Sequence, residues 1–427
     1  MRAADSATRE RPELPYQLLL EISDQISRTV DLQDVVRHLL DAVRSVVDYD
    51  AAGIFVLNRD VPFGPGGGSD MIAAMATVGF EHMTAGRDPM LRSGKGIVGY
   101  VIRTGEVVVA PEVKDDPNYI EARHETRSEI AIPIVTNSKV IGALNLESNR
   151  TDAFSRADAE LLQAFAIAAA IGIEKARLHK EVVEKHLIDQ QLRIARDVQG
   201  GLLPAGPPSL RGYDIAGLNI PAWDIGGDYF DYLPLSANRL GLVVADVSGK
   251  GVPAALLMAT FRAALRSEAR RPASISEVIA DVHWTLSDSM DDSRYVTAIY
   301  GELDAATATF SYVNCGHNPP LVIQPDGTWR RLPNGGRAIG MFGFVPAPCT
   351  GLALGEGDVL VLYTDGVVEA ADEEGAEFGE ARIARVLAES ALRPARVMVD
   401  VLVDAVRAFT GREHYEDDFT VVVVKRS

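Results

Sequence analysis

The chain has 427 residues, 47% of them hydrophobic and 24% charged, with a formal net charge of -18. This is the composition of a globular protein of roughly two or three domains. The acid excess repels phosphate backbones and argues against a nucleic-acid partner. The longest apolar run, residues 164–173, falls well short of the ~20 residues of a membrane span, and Cys315 and Cys349 make no disulfide framework.

Residues 1–13 are expected to be a disordered tail. They lack the apolar core of a signal peptide, which points to a cytoplasmic protein away from the membrane. Residues 16–50 alternate apolar and polar residues at helical spacing, with a break and a new cap near Asp31. AAGIFVLN and MIAAMATVGF then read as strands around the loop VPFGPGGGSD, and GKGIVGYVIRTGEVVVAPEV as a short helix turning into a strand. SEIAIPIVTNSKVIGALNLES is a hairpin about Thr136-Asn137-Ser138. The order of elements predicts an antiparallel sheet with helices on one side.

The segments GKGIVGYVIRTGEVVVAPEVKDDPNY and AIPIVTNSKVIGALNLES resemble those of a GAF domain, a sensor module, over residues 14–175. The region has no cysteine, which excludes a covalent bilin or a thiolate-bound haem and leaves the ligand unspecified. His82 and His124 read as surface histidines. The Gly64–Gly68 loop reads as a hairpin tip, because no Lys-Ser/Thr follows it to complete a phosphate loop.

From Ser155, a good N-cap, to about Leu202 the pattern is one long helix. Residues 176–205 form its linker and switch portion. One coiled-coil register is Ile173, Ala176, Lys180, Val183, Leu187, Gln190 and Ile194; its polar members make it imperfect. The segment is either a solvated spacer or a dimer seam that a sensor can shift, and a homodimer through the GAF domain and this helix is expected.

Residues 206–427 change character. Short strands such as GDYFDYLPL, RLGLVVADVS, GDVLVLYTDG and DFTVVVVK alternate with helices, which predicts an α+β domain large enough for its own core. GVPAALLMATFRAAL is apolar around most of its surface and reads as a buried helix. Trp223 and Trp329 are assigned to packing, and Cys315-Gly316-His317 to a tight turn. Asp228, Asp246, Asp365 and the pair Asp417-Asp418 each abut an apolar run, at the rim of a buried sheet. Isolated charges there are costly, and neighbours repel one another. A bound cation relieves both costs, and all-oxygen ligands suit Mg²⁺ or Mn²⁺. Gly226-Gly227 is read as the backbone freedom for a tight turn before Asp228.

The pieces GGDYFDYL, VVADVSGKGVPAALLMA, RYVTAIYGELD, NCGHNPPLVI, LYTDGVVEA, FGEARI and DDFTVVVVK resemble, in order, the SpoIIE/RsbU branch of PPM-type serine/threonine protein phosphatases. That resemblance implies an α/β sandwich of two β-sheets flanked by helices. It implies two Mn²⁺ or Mg²⁺ ions bridged by Asp246, with the Val247 carbonyl as a further ligand, one ion held by Asp228 and the other by Asp365 and Asp417. Asp418 stands where many relatives carry Asn, and no phosphate-binding arginine precedes Gly226-Gly227. Lys250 is either a leaving-group neighbour or a surface lysine. The implied substrate is a phosphorylated STAS-domain anti-anti-sigma protein. The segment LRIARDVQGGLLP resembles a switch helix packing on the catalytic domain. Two other readings stand beside this one: a catalytically inactive pseudophosphatase, and a GAF ligand sensor whose output is dimerisation.

Overall fold

The computed structural model describes residues 31–58, 71–80, 95–288, 290, 294–333, 335–341, 345, 348–412 and 415–427. The expected tail, the first helical stretch before Asp31, the Gly64–Gly68 loop and His82 lie outside the described residues. The chain divides into two compact units, Met1–Leu187 and Ile188–Ser427. No helix among the described residues is long and apolar enough to cross a membrane.

In the first unit, helix α1 (Leu32–Arg44) begins where the Asp31 carboxylate accepts the backbone N–H groups of Gln33 and Asp34. Such a cap contributes about 1 kcal/mol. Strands β1 (Ala51–Asn58), β2 (Met71–Val78), β3 (Val108–Ala110), β4 (Ser128–Thr136) and β5 (Lys139–Ser148) form an antiparallel sheet in the order β2-β1-β5-β4-β3. The β4–β5 hairpin turns through Asn137 and Ser138, at φ 46° and 62°, the left-handed pair of a two-residue turn. Strand alternation gives the sheet two apolar faces. Ile130, Ile132, Ile134, Leu144 and Leu146 pack with α1 and the next long helix, whereas Phe55, Ala131 and Ala143 pack with Ile97 and Val101 of α2 (Gly96–Thr104). Helices therefore cover both faces, not one, because both sets of alternating positions are apolar. His124 is exposed and pairs with Glu121.

Helix α3 runs Arg156–Gly200. Ser155 and Asp158 exchange hydrogen bonds at its start, a capping box. Ile173 and Ala176, the first two positions of the expected coiled-coil register, are buried in the first unit's core. The later apolar positions of that register, Val183, Leu187 and Ile194, are exposed, as are Ile167, Ile171, Leu178 and Val182 outside it.

The second unit is a sandwich of two antiparallel sheets. One comprises β7 (Tyr229–Pro234), β8 (Arg239–Val247), β9 (Val296–Asp304), β10 (Thr309–Cys315) and β13 (Thr350–Ala353), in the order β13-β10-β9-β8-β7. The other comprises β6 (Tyr213–Ile220), β11 (Leu321–Ile323), β12 (Trp329–Arg331), β14 (Val359–Tyr363) and β15 (Phe419–Arg426), in the order β12-β11-β14-β15-β6. Leu242, Val244, Ile299, Leu360, Leu362 and Val422 fill the space between the sheets. Outside the first sheet pack α4 (Val252–Glu268) and α5 (Ile275–Ser287) against Val243, Ala245 and Ala298. A short helix α6 (Asp365–Val368) follows β14, and α7 (Gly379–Glu389) and α8 (Ala395–Thr410) cover the second sheet. Strands buried on both faces carry unbroken apolar runs, as LGLVVA and VVVV do.

Two packing expectations need correction. Helix α4 buries Ala254, Met258, Phe261 and Leu265 but leaves Leu256 66% exposed, because only one of its faces meets the sheet. Trp223 is 64% and Trp329 39% exposed; Trp223 lies in a loop and Trp329 in an edge strand, where no second layer covers them. The Cys315–His317 turn is structural. Burial pushes the Cys315 thiol up to about 12. His317 bonds Thr297 Oγ1 and the Tyr363 carbonyl, and burial holds its imidazole down at about 4.

Candidate functional site

The aspartates singled out in the sequence stand on both sheets. Asp228 precedes β7 and Asp246 lies near the end of β8; Asp365 opens α6, and Asp417-Asp418 precede β15. The fold brings these ends to one edge of the sandwich. Asp228 Oδ2 accepts hydrogen bonds from Thr364 Oγ1 at 2.7 Å and Thr420 Oγ1 at 2.5 Å, both on the opposite sheet's side. The Asp418 carboxylate accepts the backbone N–H groups of Ala222, Gly227 and Asp228, at 2.8, 2.7 and 3.3 Å. One side chain thereby fixes the loop that carries Asp228.

These contacts revise the reason for the Gly-Gly pair. Neither glycine has a positive φ. A Cβ on Gly226 would overlap Asp418 Oδ2, and one on Gly227 would lie 2.7 Å from the Val247 carbonyl oxygen. Close approach, not turn geometry, requires glycine here. Gly366 is constrained in the same way, because a Cβ there would overlap the Asp418 carbonyl oxygen.

The carboxylates repel one another. Asp228 is 3% exposed; burial first, then the charges of Asp246 and Asp418, hold its pKa well above the carboxylate range. Burial, followed by Asp365, Asp417 and Asp418, pushes Asp246 up to about 7. Asp365 is raised by burial and then by Asp417. Lys250 opposes this charge: its Nζ lies 3.1 Å from both Asp417 Oδ2 and the Glu416 carbonyl. It is an exposed lysine paired with the acid group.

The donor chemistry fits hard cations. Every group is an oxygen, the set carries excess negative charge, and its repulsion is only partly offset. Among the described residues no three His, Cys, Asp or Glu side chains already form a coordinating group. Asp228 is turned toward two threonines and Asp417 toward Lys250. Beside the acids opens a cleft of about 270 Å³ lined by Lys250, Gly366, Glu369, Arg412, Tyr415 and Asp417.

Sequence reasoning missed Gln199 and Arg412. Gln199, in the last turn of α3, donates from Nε2 to the Gly226 carbonyl at 2.7 Å and accepts the Gly226 N–H at 3.2 Å. Arg412 lines the cleft and pairs with Glu416. Gln199 lies in the segment LRIARDVQGGLLP, which the sequence already marked as packing on the catalytic domain; no local pattern marks Arg412, only the proximity of distant segments.

A family model described as stage II sporulation protein E (SpoIIE) matches residues 236–427, and a GAF domain model matches residues 31–173. The chain is 28% identical over 240 residues to phosphoserine phosphatase RsbU of Bacillus subtilis, covering 56% of this chain and 71% of that protein. It is 30% identical over 150 residues to phosphoserine phosphatase RsbP of the same organism, covering 34% of this chain and 37% of RsbP. The solved RsbU and RsbW domains of a Mycobacterium tuberculosis protein are 30% identical, with a TM-score of 0.47, covering 53% of this chain and 63% of that one. The chain thus spans well under half of RsbP and about two thirds of the other two. The GAF and SpoIIE models thus match in the order the sequence led one to expect, and the chain is similar to the phosphoserine phosphatases RsbU and RsbP.

Proposed function

We propose that the second unit hydrolyses phosphoserine or phosphothreonine on a STAS-domain anti-anti-sigma protein, using two Mg²⁺ or Mn²⁺ ions, under control of the GAF domain. The observation that carries this reading is the gathering of Asp228, Asp246, Asp365 and Asp417 from separate segments at one edge of the sandwich. Their burial and mutual repulsion raise the pKa values of Asp228, Asp246 and Asp365. Asp246 would be shared between the ions. Asp228 and the Val247 carbonyl would complete one site, Asp365 and Asp417 the other. When bound, such ions lower the pKa of an attacking water and take up charge on the phosphoryl oxygens.

The remaining work falls to the chain's own residues. Asp418, tied to three backbone amides, acts as a positioning residue for Asp228, which leaves its assignment as a ligand the weaker alternative. Thr364 and Thr420 hold one oxygen of Asp228 and so orient the other. Lys250 and Arg412 give the cleft the positive groups that a phosphorylated segment needs. Gln199 supports a regulatory role for α3: its side chain grips Gly226, two residues before Asp228, so a change in helix pose reaches the acid loop directly. The exposed Ile167, Ile171, Leu178 and Val182 support homodimerisation through α3; light scattering of Ile171→Glu tests it.

The deciding experiment is hydrolysis of p-nitrophenyl phosphate with Mn²⁺ titrated from zero. Turnover must require the metal and fall by on the order of 10³-fold in Asp246→Asn. Metal-independent turnover, or a fully active Asp246→Asn protein, rules the reading out. Phosphorylated STAS proteins then test the substrate.

A further inference from the structure

A second group of buried acids lies in the first unit, and the phosphatase chemistry makes no use of it. In the β4–β5 pair, Glu129 stands directly opposite Glu147. Like charges at facing positions destabilise a sheet, yet both side chains are only 4% exposed. Burial, then the charges of Glu147 and Asp116, hold Glu129 well above its ordinary pKa. Glu147 accepts from Thr126 Oγ1 and faces the Asn145 amide nitrogen at 3.4 Å; with that amide turned over, the nitrogen stands 2.8 Å from Glu129 Oε1. Two carboxylates thus share one neutral amide. No cation among the described residues contacts Glu129. Arg123 acts on Glu147 from a distance while bound to Asn149 and Glu125.

The pair lines a cavity of about 60 Å³, with Phe55, Ile97 and Ile120 as apolar walls. Lys95 and the start of α2 stand at the same cavity. That helix has no side-chain cap, so its first N–H groups, including those of Ile97 and Val98, are available to an anion. The cavity thus offers negative charge on one wall, positive charge on another and hydrocarbon between. The hard cations that carboxylates favour take six or more oxygen ligands, water included, whereas the remaining walls here are largely carbon.

We propose that this cavity binds a small organic ammonium compound, its nitrogen held between Glu129 and Glu147 and its carbon chain against Phe55, Ile97 and Ile120. An α-amino acid is the form that also uses Lys95 and the α2 terminus; a simple amine uses the acids alone.

Calorimetry on the full chain in EDTA separates these cases. The probes are 2-aminobutyrate, propylamine and butyrate, with leucine, isoamylamine and 4-methylpentanoate as the larger set. At least one ammonium compound is expected to bind below 10 mM, and Glu129→Gln to weaken it tenfold or more. Glu129→Gln removes a titratable carboxyl with little change in volume, and its melting curve confirms that it folds. Tighter binding of the amino acid than of its matching amine assigns the helix terminus a role, and the reverse assigns the acids alone. Binding of the carboxylic acids in place of the ammonium compounds, equal binding by Glu129→Gln, or no binding by any probe at 10 mM overturns the proposal. The readout is independent of phosphatase turnover.

Discussion

The two units each bury facing carboxylates, and they handle the charge differently. In the sandwich the acids sit at strand ends, where loops supply partners: two threonine hydroxyls for Asp228, three backbone amides for Asp418 and an ammonium for Asp417. In the first unit Glu129 and Glu147 sit inside paired strands. There the backbone donors are already spent on the ladder, leaving one amide and one hydroxyl. An acid at a strand end can be supported by its own chain. An acid within a strand must find its counter-charge in a ligand or take up a proton.

The largest test of that contrast is Asp246→Asn. Loss of the shared ligand should cut Mn²⁺-dependent hydrolysis by on the order of 10³-fold, since metal charge stabilisation contributes several kcal/mol. Glu129→Gln should retain metal-dependent hydrolysis. If both variants lose turnover alike, the two acid groups are not separate devices.

Next comes Asp418. Asp418→Ala strands three backbone N–H groups, at about 1–3 kcal/mol for each one left buried and unsatisfied. Melting should fall, and the Mn²⁺ needed for half-maximal rate should rise. Asp418→Asn keeps one acceptor oxygen and should recover much of both. A direct ligand role predicts that Asn restores melting but not metal affinity.

A smaller effect is expected at Gln199. Gln199→Ala removes two hydrogen bonds to Gly226, each contributing about 1 kcal/mol. A several-fold rise in the half-maximal Mn²⁺ concentration, with unchanged maximal rate at saturating metal, would show that the helix end tunes the loop. An unchanged titration would reduce α3 to a tether.

The smallest effect is thermodynamic. Glu129 has a folded-state pKa above its unfolded value. The folded state therefore keeps a proton that the unfolded state has released, and stability falls as pH rises above the unfolded value and toward the folded one. Glu129→Gln has no such proton to lose. Its melting temperature should gain on the wild type more at pH 8 than at pH 5, by roughly 2–4 °C for each kcal/mol. A pH-independent difference would mean that the carboxyl is not held protonated by its surroundings.

Much of the second unit is legible in the sequence because its acids lie beside unbroken apolar runs, a pattern local enough to read. The long helix is legible for the same reason: Ser155 caps it and no proline interrupts it before Pro204. The point at which α3 leaves the sheet is not, because burial of Ile173 and Ala176 depends on a sheet that the helix pattern does not mention. Trp223 and Trp329 mislead because size suggests packing, whereas their places in a loop and an edge strand leave them exposed.

By itself the sequence determined the two domain types, the order of their elements and the identity of the acids at the sandwich rim. Periodicity and motif order are properties of neighbouring residues. Tertiary structure alone decided what those acids touch: Asp418 on the amides of Gly227 and Asp228, and Gln199 on Gly226. It also decided that Glu129 faces Glu147. Thr136 pairs with Lys139 at the turn, but the irregularity between Ile134 and Val135 shifts the register by one residue, so Glu129 meets Glu147 rather than Leu146. A one-residue shift exchanges the partner of every side chain beyond it, and no composition or spacing records where such a shift occurs.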